Sequence, residues 1–144
     1  MASEMKEQRD VLIEQKIKQD SFATYLGACI EIVKPGHSRV SLTVTKDMLN
    51  FHGNTHGGLI FSLGDMAFAA ASNSRGQSAV ALNVAINFLK ASVEGDQLLA
   101  EAIEVSENGP VALYDIVVTD QVTGEIIAKS QDLVYRKKEW FVAQ

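Results

Sequence analysis

The sequence predicts an α+β fold in which one long buried helix packs against a five- or six-stranded antiparallel sheet. Three observations predict it. Residues 57–74 are almost wholly apolar over about four turns, with apolar side chains all round and no polar stripe, the pattern of a buried helix. Residues 78–136 read nearly throughout as strand-like runs separated by turn residues, and strands joined by short turns pair antiparallel. A further pair of strand-like runs precedes the helix. Helix on sheet is then the two-layer arrangement that buries both apolar faces.

The elements follow in order. Residues 1–10 are polar and expected to fray. From residue 11 to 26 the apolar positions Val11, Leu12, Ile17, Phe22 and Leu26 are loosely helical, an amphipathic cover. Asp20-Ser21 breaks it into two short helices, with either residue as N-cap. Residues 28–33 form a strand, Lys34-Pro35-Gly36-His37 turns, and residues 38–45 form a second strand. In that strand Val40, Leu42 and Val44 alternate with Ser41, Thr43 and Thr45, and the two strands make a hairpin. Residues 46–55 are a loop, after which the central helix runs to about Ser74, with Gly76 as its C-cap. The strand at 78–91 carries Asn83 and Asn87, on one face if the strand is regular. Glu94-Gly95-Asp96 turns into 97–106, Glu107-Asn108-Gly109-Pro110 into 111–119, and residues 120–124 into 125–136, so a meander follows the helix. Residues 137–144 are a short tail carrying Trp140 and Phe141. No linker, repeat or low-complexity stretch interrupts the chain, so residues 1–144 form one domain, with residues 1–21 as a helical or frayed N-terminal segment.

Composition excludes several function classes. With 144 residues, 47% hydrophobic and 22% charged, the chain is long enough and apolar enough for one real core. The net charge is −5, and no basic run exceeds Arg136-Lys137-Lys138, which argues against a nucleic-acid partner. The single cysteine, Cys29, excludes an intrachain disulfide and a cysteine metal cluster. At about 1.5 Å per residue the apolar helix is too short to span a bilayer. The N-terminus lacks the apolar run of a secretory signal, so a cytoplasmic protein without a membrane partner is expected.

The chemistry concentrates on the central helix. Between His56 and Arg75 the only charged residue is Asp65. It is either a buried structural aspartate bonded to backbone or hydroxyl groups, or a base or nucleophile of raised pKa facing a cleft. Ser62, Ala69, Ser72 and Asn73 share its helix face. At the helix start, Gly57 and Gly58 follow His56. First-turn amides lack intrahelical acceptors and stand at the positive dipole end, which suits an anion or a developing oxyanion. The glycines either let a ligand approach the backbone or form a tight turn against the sheet.

Spacing adds a condition. Asp65 lies about 12 Å along the axis from Gly57 at the standard rise, whereas two groups serving one carbonyl must both lie within about 3–4 Å of it. If both act, a second copy of the helix must supply one of them, in a dimer with two shared sites. The remaining candidates are plainer. His56 fits a hydrogen-bonding role that fixes the loop before the helix, and the role of His52 is open. No HExxH motif or ligand cluster supports a metal. Asn50 either holds a substrate carbonyl or water or caps its loop. There is no GxSxG elbow, and Cys29 has no evident histidine partner.

The stretch NFHGNTHGGLIFSLGD, from Asn50 to Asp65, resembles the signature of hotdog-fold acyl-CoA thioesterases of the phenylacetic-acid-degradation type. The resemblance extends over roughly residues 22–136, through Tyr25-Leu26-Gly27, Thr43-Val44-Thr45, Met48-Leu49-Asn50, Ala67-Phe68-Ala69, Asn73-Ser74 and Asn87-Phe88-Leu89. It implies a central helix wrapped by an antiparallel sheet and hydrolysis of acyl-CoA thioesters without a metal or a separate cofactor, coenzyme A being part of the substrate. It further implies Asp65 as general base or nucleophile, the Gly57 amide as oxyanion donor, Asn50 positioning the carbonyl or water, and His56 supporting the loop. Sites formed between two subunits, in homodimers often paired into tetramers, are implied as well.

Two departures are visible: Phe51 stands where a small residue is expected and would narrow the acyl pocket, and Gly64 precedes the aspartate where alanine is common. Gly58, Phe51, Ser62 and Asn73 complete the candidate substrate-binding set. Lys90 and Arg136, with Lys137 and Lys138, are candidates for the nucleotide phosphates, against surface solvation as the default. An aryl-acetyl or medium-chain acyl group is expected. A hotdog hydratase or dehydratase is disfavoured, because those families place a histidine with a carboxylate in differently spaced motifs. A non-catalytic acyl-CoA sensor is disfavoured because nothing appended to the domain looks like an effector module.

Overall fold

The N-terminal segment holds the first departure from expectation. In the computed structural model, which describes residues 1–143, helix α1 spans Ala2–Ile17, so residues 1–10 are helical rather than frayed. The segment has no apolar period there, but Glu, Met, Lys, Gln and Arg are strong helix formers. Arg9 lies over the Trp140 ring at 5.7 Å, and Ile13 is buried, which ties the helix down. Helix α2, Ser21–Leu26, is capped by Asp20, whose carboxylate accepts the Ala23 amide at 2.9 Å, and ends on Gly27 in the left-handed region.

Strands β1 (Cys29–Lys34) and β2 (His37–Thr43) form the hairpin expected from the Pro-Gly turn. A 3-10 turn at Lys46–Met48 interrupts the following loop, and α3 spans Gly57–Ser72. Then come β3 (Gln77–Phe88), β4 (Gln97–Asn108), β5 (Val111–Asp120) and β6 (Ile126–Trp140). Residues 137–140, expected in the tail, belong to β6, where Trp140 pairs with Gln77.

The six strands make one antiparallel sheet in the order β1-β2-β4-β5-β6-β3. Only β4, β5 and β6 form the meander; β3 does not pair with β4, its successor in sequence, but lies at the far edge beside β6. The connection through α3 carries the chain from β2 across the sheet, so the helix lies over the inner face between its two departure points. Along α3 the residues Leu59, Ile60, Leu63, Met66, Ala67, Phe68 and Ala71 are buried, packed into one core with Val40, Leu42, Leu98, Ala100 and Ile116. Phe68 meets Tyr114 edge-on, with ring centroids 5.6 Å apart. Small residues let the helix sit close: a Cβ at Gly64 would meet Ile116 at 3.5 Å.

The helix is not buried all round. Phe61, Asp65 and Ala69, at i, i+4 and i+8, are exposed along one stripe, so the expectation of a wholly buried helix is corrected. The stripe escapes detection in the sequence because two of its three members are themselves apolar.

Strand β3 carries a bulge between Ala81 and Asn83. Before it, Ala79 and Ala81 pair with Arg136 and Val134, both buried; after it, Val84 and Ile86 pair with Asp132 and Ser130 on the same inner side. Asn83 and Asn87 do share a face, the outer one, turned away from α3.

Candidate functional site

The start of α3 is built by the loop before it. Asn50 Oδ1 accepts the amides of His52 at 2.9 Å and Asn54 at 3.2 Å, closing a tight loop, and the Leu49–Thr55 bridge holds its ends. The loop-capping alternative for Asn50 is therefore the one its oxygen follows. Its Nδ2 donates to nothing among the described residues. His56 is the N-cap of α3, and its Nδ1 accepts the Gly58 amide at 2.9 Å, which requires the neutral tautomer protonated at Nε2.

That cap decides which amide stays open. The Leu59 and Ile60 amides both reach the His56 carbonyl, and Gly58 is taken by the imidazole. Among the described residues the Gly57 N–H is the first-turn donor without an acceptor. The Phe88 ring stands 3.5 Å from where a Gly57 Cβ would lie, an ordinary packing distance. A donor at a helix start, with the dipole behind it, can polarise a carbonyl oxygen.

Two turns along, Asp65 faces a cleft between α3 and the β5–β6–β3 side of the sheet. Phe61, Val84, Ile86, Ile116 and Val118 supply apolar walls. Those walls strip solvation from one side of the carboxylate and raise its pKa, and the negative charge of Asp20 adds to the rise. Asp65 is thus open to solvent along the helix stripe while its carboxyl is held more basic than an ordinary aspartate. The bonds that the structural alternative calls for are missing, since Asp65 bonds to no backbone or hydroxyl group among the described residues.

The other candidates separate into those near this region and those occupied elsewhere. Ser62 is on the open side of the helix, with its hydroxyl donating to the Gly58 carbonyl at 2.7 Å. Gly58 is exposed, and Phe51 is 93% exposed at the loop tip against His52; in the single chain it narrows nothing. Asn73 caps the helix end: its Nδ2 donates to the Ala69 carbonyl at 2.9 Å, and its Oδ1 accepts the Ala79 amide at 2.8 Å. Those bonds fasten α3 to β3 and give Asn73 a structural role. Arg136 is 7% exposed on the inner face and bonds Glu107 at 2.7 Å, so its assignment to phosphate at the surface is corrected. Alternation along β6 turns it inward. Lys90 is exposed and paired with Glu125. No group of three or more His, Cys, Asp or Glu among the described residues is placed to hold a metal.

One polar residue of the cleft escaped the sequence reading. Asp132, on β6, is 1% exposed and lines the same cleft as Asp65. In a strand reading Lys129-Ser130-Gln131-Asp132, polar residues occupy both alternations, so nothing marks one as inward.

The geometry can be set beside known proteins. The thioesterase superfamily profile matches residues 52–127, which begins in the loop before α3 and runs through β5. A putative esterase of Archaeoglobus fulgidus is 42% identical over 86% of this chain and 80% of its own length. The acyl-coenzyme A thioesterase PaaI of Escherichia coli is 41% identical over 72% of this chain and 74% of its own. The structure of the E. coli PaaI protein from the phenylacetic acid degradation operon superposes with a TM-score of 0.87, covering 92% of this chain and 96% of that one at 34% identity. A Streptococcus mutans protein bound to acetyl CoA superposes at 0.72 over 76% of this chain and 88% of its own, at 32% identity. No helix among the described residues is long and apolar enough to cross a membrane. The profile match, the identities and the superpositions agree: the chain belongs to the thioesterase superfamily, as a hotdog-fold acyl-CoA thioesterase of the PaaI type.

Proposed function

We propose that the protein hydrolyses aryl-acetyl or medium-chain acyl-CoA thioesters to the free acid and CoA, in the cytoplasm and without a metal, at two sites shared across a homodimer. The observation that carries this reading is the arrangement along α3. The Gly57 N–H is left open by the His56 cap, and the Asp65 carboxylate faces an apolar cleft about 12 Å away. A rigid helix cannot bring both to one carbonyl, and two helices side by side can.

The edge of the sheet supports a second copy. Among the described residues strand β3 has no neighbour on its outer side, and it exposes Val80, Leu82 and Phe88, a long apolar edge of the kind that proteins otherwise protect. On the outer sheet face, Ile103 and Tyr135 are exposed, apolar surface that pairing of two dimers into a tetramer would cover. The apolar cleft walls suit a hydrocarbon or aromatic acyl group, and the E. coli relative from a phenylacetic acid degradation operon favours the aryl-acetyl class.

In the reaction, Asp65 takes a proton from water and the hydroxyl adds to the thioester carbonyl, or the carboxylate itself attacks that carbon. The amide of Gly57 of the partner subunit donates to the carbonyl oxygen as it gains charge. The tetrahedral adduct then expels the CoA thiolate, which recovers a proton from the site or from water. In the direct-attack route this leaves an acyl anhydride on Asp65, which a water then cleaves to the free acid and the restored carboxylate. Asn50 Nδ2 is free to hold the carbonyl or the water.

Subunit mixing tests the shared site. His56 already has ψ 135, the backbone a following proline requires, and proline is favoured at the first helical position. Gly57→Pro therefore deletes the donor and keeps the helix. Dimers of Asp65→Ala and dimers of Gly57→Pro should each lose about 10²-fold or more in kcat. Mixed dimers carry one intact site and should regain about half of the wild-type rate per dimer. Mixed dimers as slow as their parents would sink the shared site.

A further inference from the structure

We propose that Asp132 is the second carboxyl of the site, a positioning residue that acts on Asp65 across the cleft they both line and sets how strongly Asp65 takes up a proton. The inference rests on the reading of Asp65 as the reacting carboxylate and adds its partner.

The placement is specific. Asp132 sits on the inner face of β6, between Val84 of β3 and Tyr114 of β5 in register, and is almost fully buried. Its Oδ1 has no hydrogen-bond partner among the described residues. A buried carboxylate oxygen without a partner costs free energy that a purely structural aspartate would recover through a bond. The cleft between the two acids has water-accessible space of about 10 Å³, the room of about one water. A water there can donate one hydrogen to each carboxylate, which satisfies the orphaned oxygen and links the two acids.

Among charged groups, Asp65 is the one whose charge acts on Asp132, after burial and the Ser130 hydroxyl. Burial pushes the Asp132 carboxyl up to about 6, the Ser130 hydroxyl on its own strand works the other way, and the charge of Asp65 raises it further. From β3 only the apolar Val84 and Ile86 face the cleft. From β5 the facing titratable group is Tyr114, whose hydroxyl reaches Glu104 at 3.5 Å, with Glu104 itself bonded to Arg75. Arg136, on the same face of β6, is engaged by Glu107, and Lys129 stands at the rim of the cleft. On the helix side, Asp20 adds its charge to Asp65. Two like charges near one small cleft cannot both ionise freely, so the protons leave the pair in coupled steps. An ionised Asp132 makes Asp65 the better base.

The test reads titration and turnover separately. Carbon NMR of the aspartate carboxyls follows the Asp65 midpoint in the wild type and in Asp132→Asn, and the Asp132 midpoint in Asp65→Asn. The Asp132 midpoint should fall by about one pH unit in Asp65→Asn, the ordinary scale of a neighbouring charge. Asp65 loses its proton while Asp132 is still neutral, so its midpoint should move less in Asp132→Asn. In Asp132→Asn the acid limb of kcat/KM should move down by that smaller amount and kcat should fall by up to about tenfold, since a weaker base takes a proton less readily. Midpoints unmoved in both variants would overturn the coupling, whatever the activity. If Asp132→Asn does not fold, Asp132→Ser makes the same measurement at smaller volume. Full turnover in Asp65→Asn, with the midpoints still coupled, would instead overturn the role of Asp65 and leave the carboxyl pair standing.

Discussion

His56 Nδ1 and the Gly58 amide lie 2.9 Å apart, and this one bond both caps α3 and chooses Gly57 as its open donor. His56→Ala should therefore lower unfolding stability by about 0.5–2 kcal/mol, the usual cost of a lost N-cap. His56→Asn should recover most of it. Thermal unfolding of the three proteins measures this, and an unchanged midpoint for His56→Ala would show that the helix start is held by other bonds.

Asp65→Asn keeps the shape of the side chain and removes the base. Its kcat should fall by about 10²–10⁴ with folding and subunit association intact. A single turnover in heavy-oxygen water separates the two routes. Label found in Asp65 after that turnover requires an anhydride cleaved at the aspartyl carbon and so shows direct attack, because water activation puts the label in the product acid alone.

Asp132 should make stability depend on pH in an identifiable direction. Its carboxyl lies at about 6 in the folded chain against an ordinary 3.8, so the folded state holds this proton more tightly than the unfolded one. Stability then falls as pH rises through that window, by on the order of 3 kcal/mol if the whole gap is realised. Asp132→Asn lacks this loss. In urea unfolding, the difference between variant and wild type should shift in the variant's favour from about pH 4 to about pH 6. A difference that stays constant with pH would contradict it.

Gly64→Ala should be tolerated and mildly stabilising. The added methyl would meet Ile116 at 3.5 Å, an ordinary contact, and alanine in a helix interior gains about 0.5–1 kcal/mol over glycine. A leucine there should lift α3 from the sheet and lower both stability and turnover. Paired Tm and kcat measurements on the two variants decide this, and a destabilised Gly64→Ala would mean the helix sits closer to β5 than its contacts indicate.

Most of the fold was legible because its signals are local. The Pro-Gly turn at Pro35-Gly36, the Asp20 cap and the alternation of Val40, Leu42 and Val44 each act within a few residues. The position of β3 was not legible, since pairing with β6 rather than β4 is set by the path of α3 over the sheet. In the site, the open amide and the lone acid of α3 could be read from residue types and spacing. Asp132 and Arg136 could not, because polar residues fill both alternations of β6 and only the sheet register says which side faces in. Helix α1 was underestimated for the opposite reason: its docking depends on Trp140, far away in sequence.

The bulge in β3 has a chemical consequence. Without that extra residue, the alternation that turns Ala79 and Ala81 inward would continue through Asn83, Ala85 and Asn87. Two amides and a methyl would then line the wall now made by Val84 and Ile86, and Phe88 would leave the side of Gly57. A single residue of slack in the backbone thus acts as a frame, selecting which half of the strand's side chains an acyl chain meets. Shifting that frame would turn a hydrocarbon wall into a hydrated one without changing the identity of any residue that lines it today.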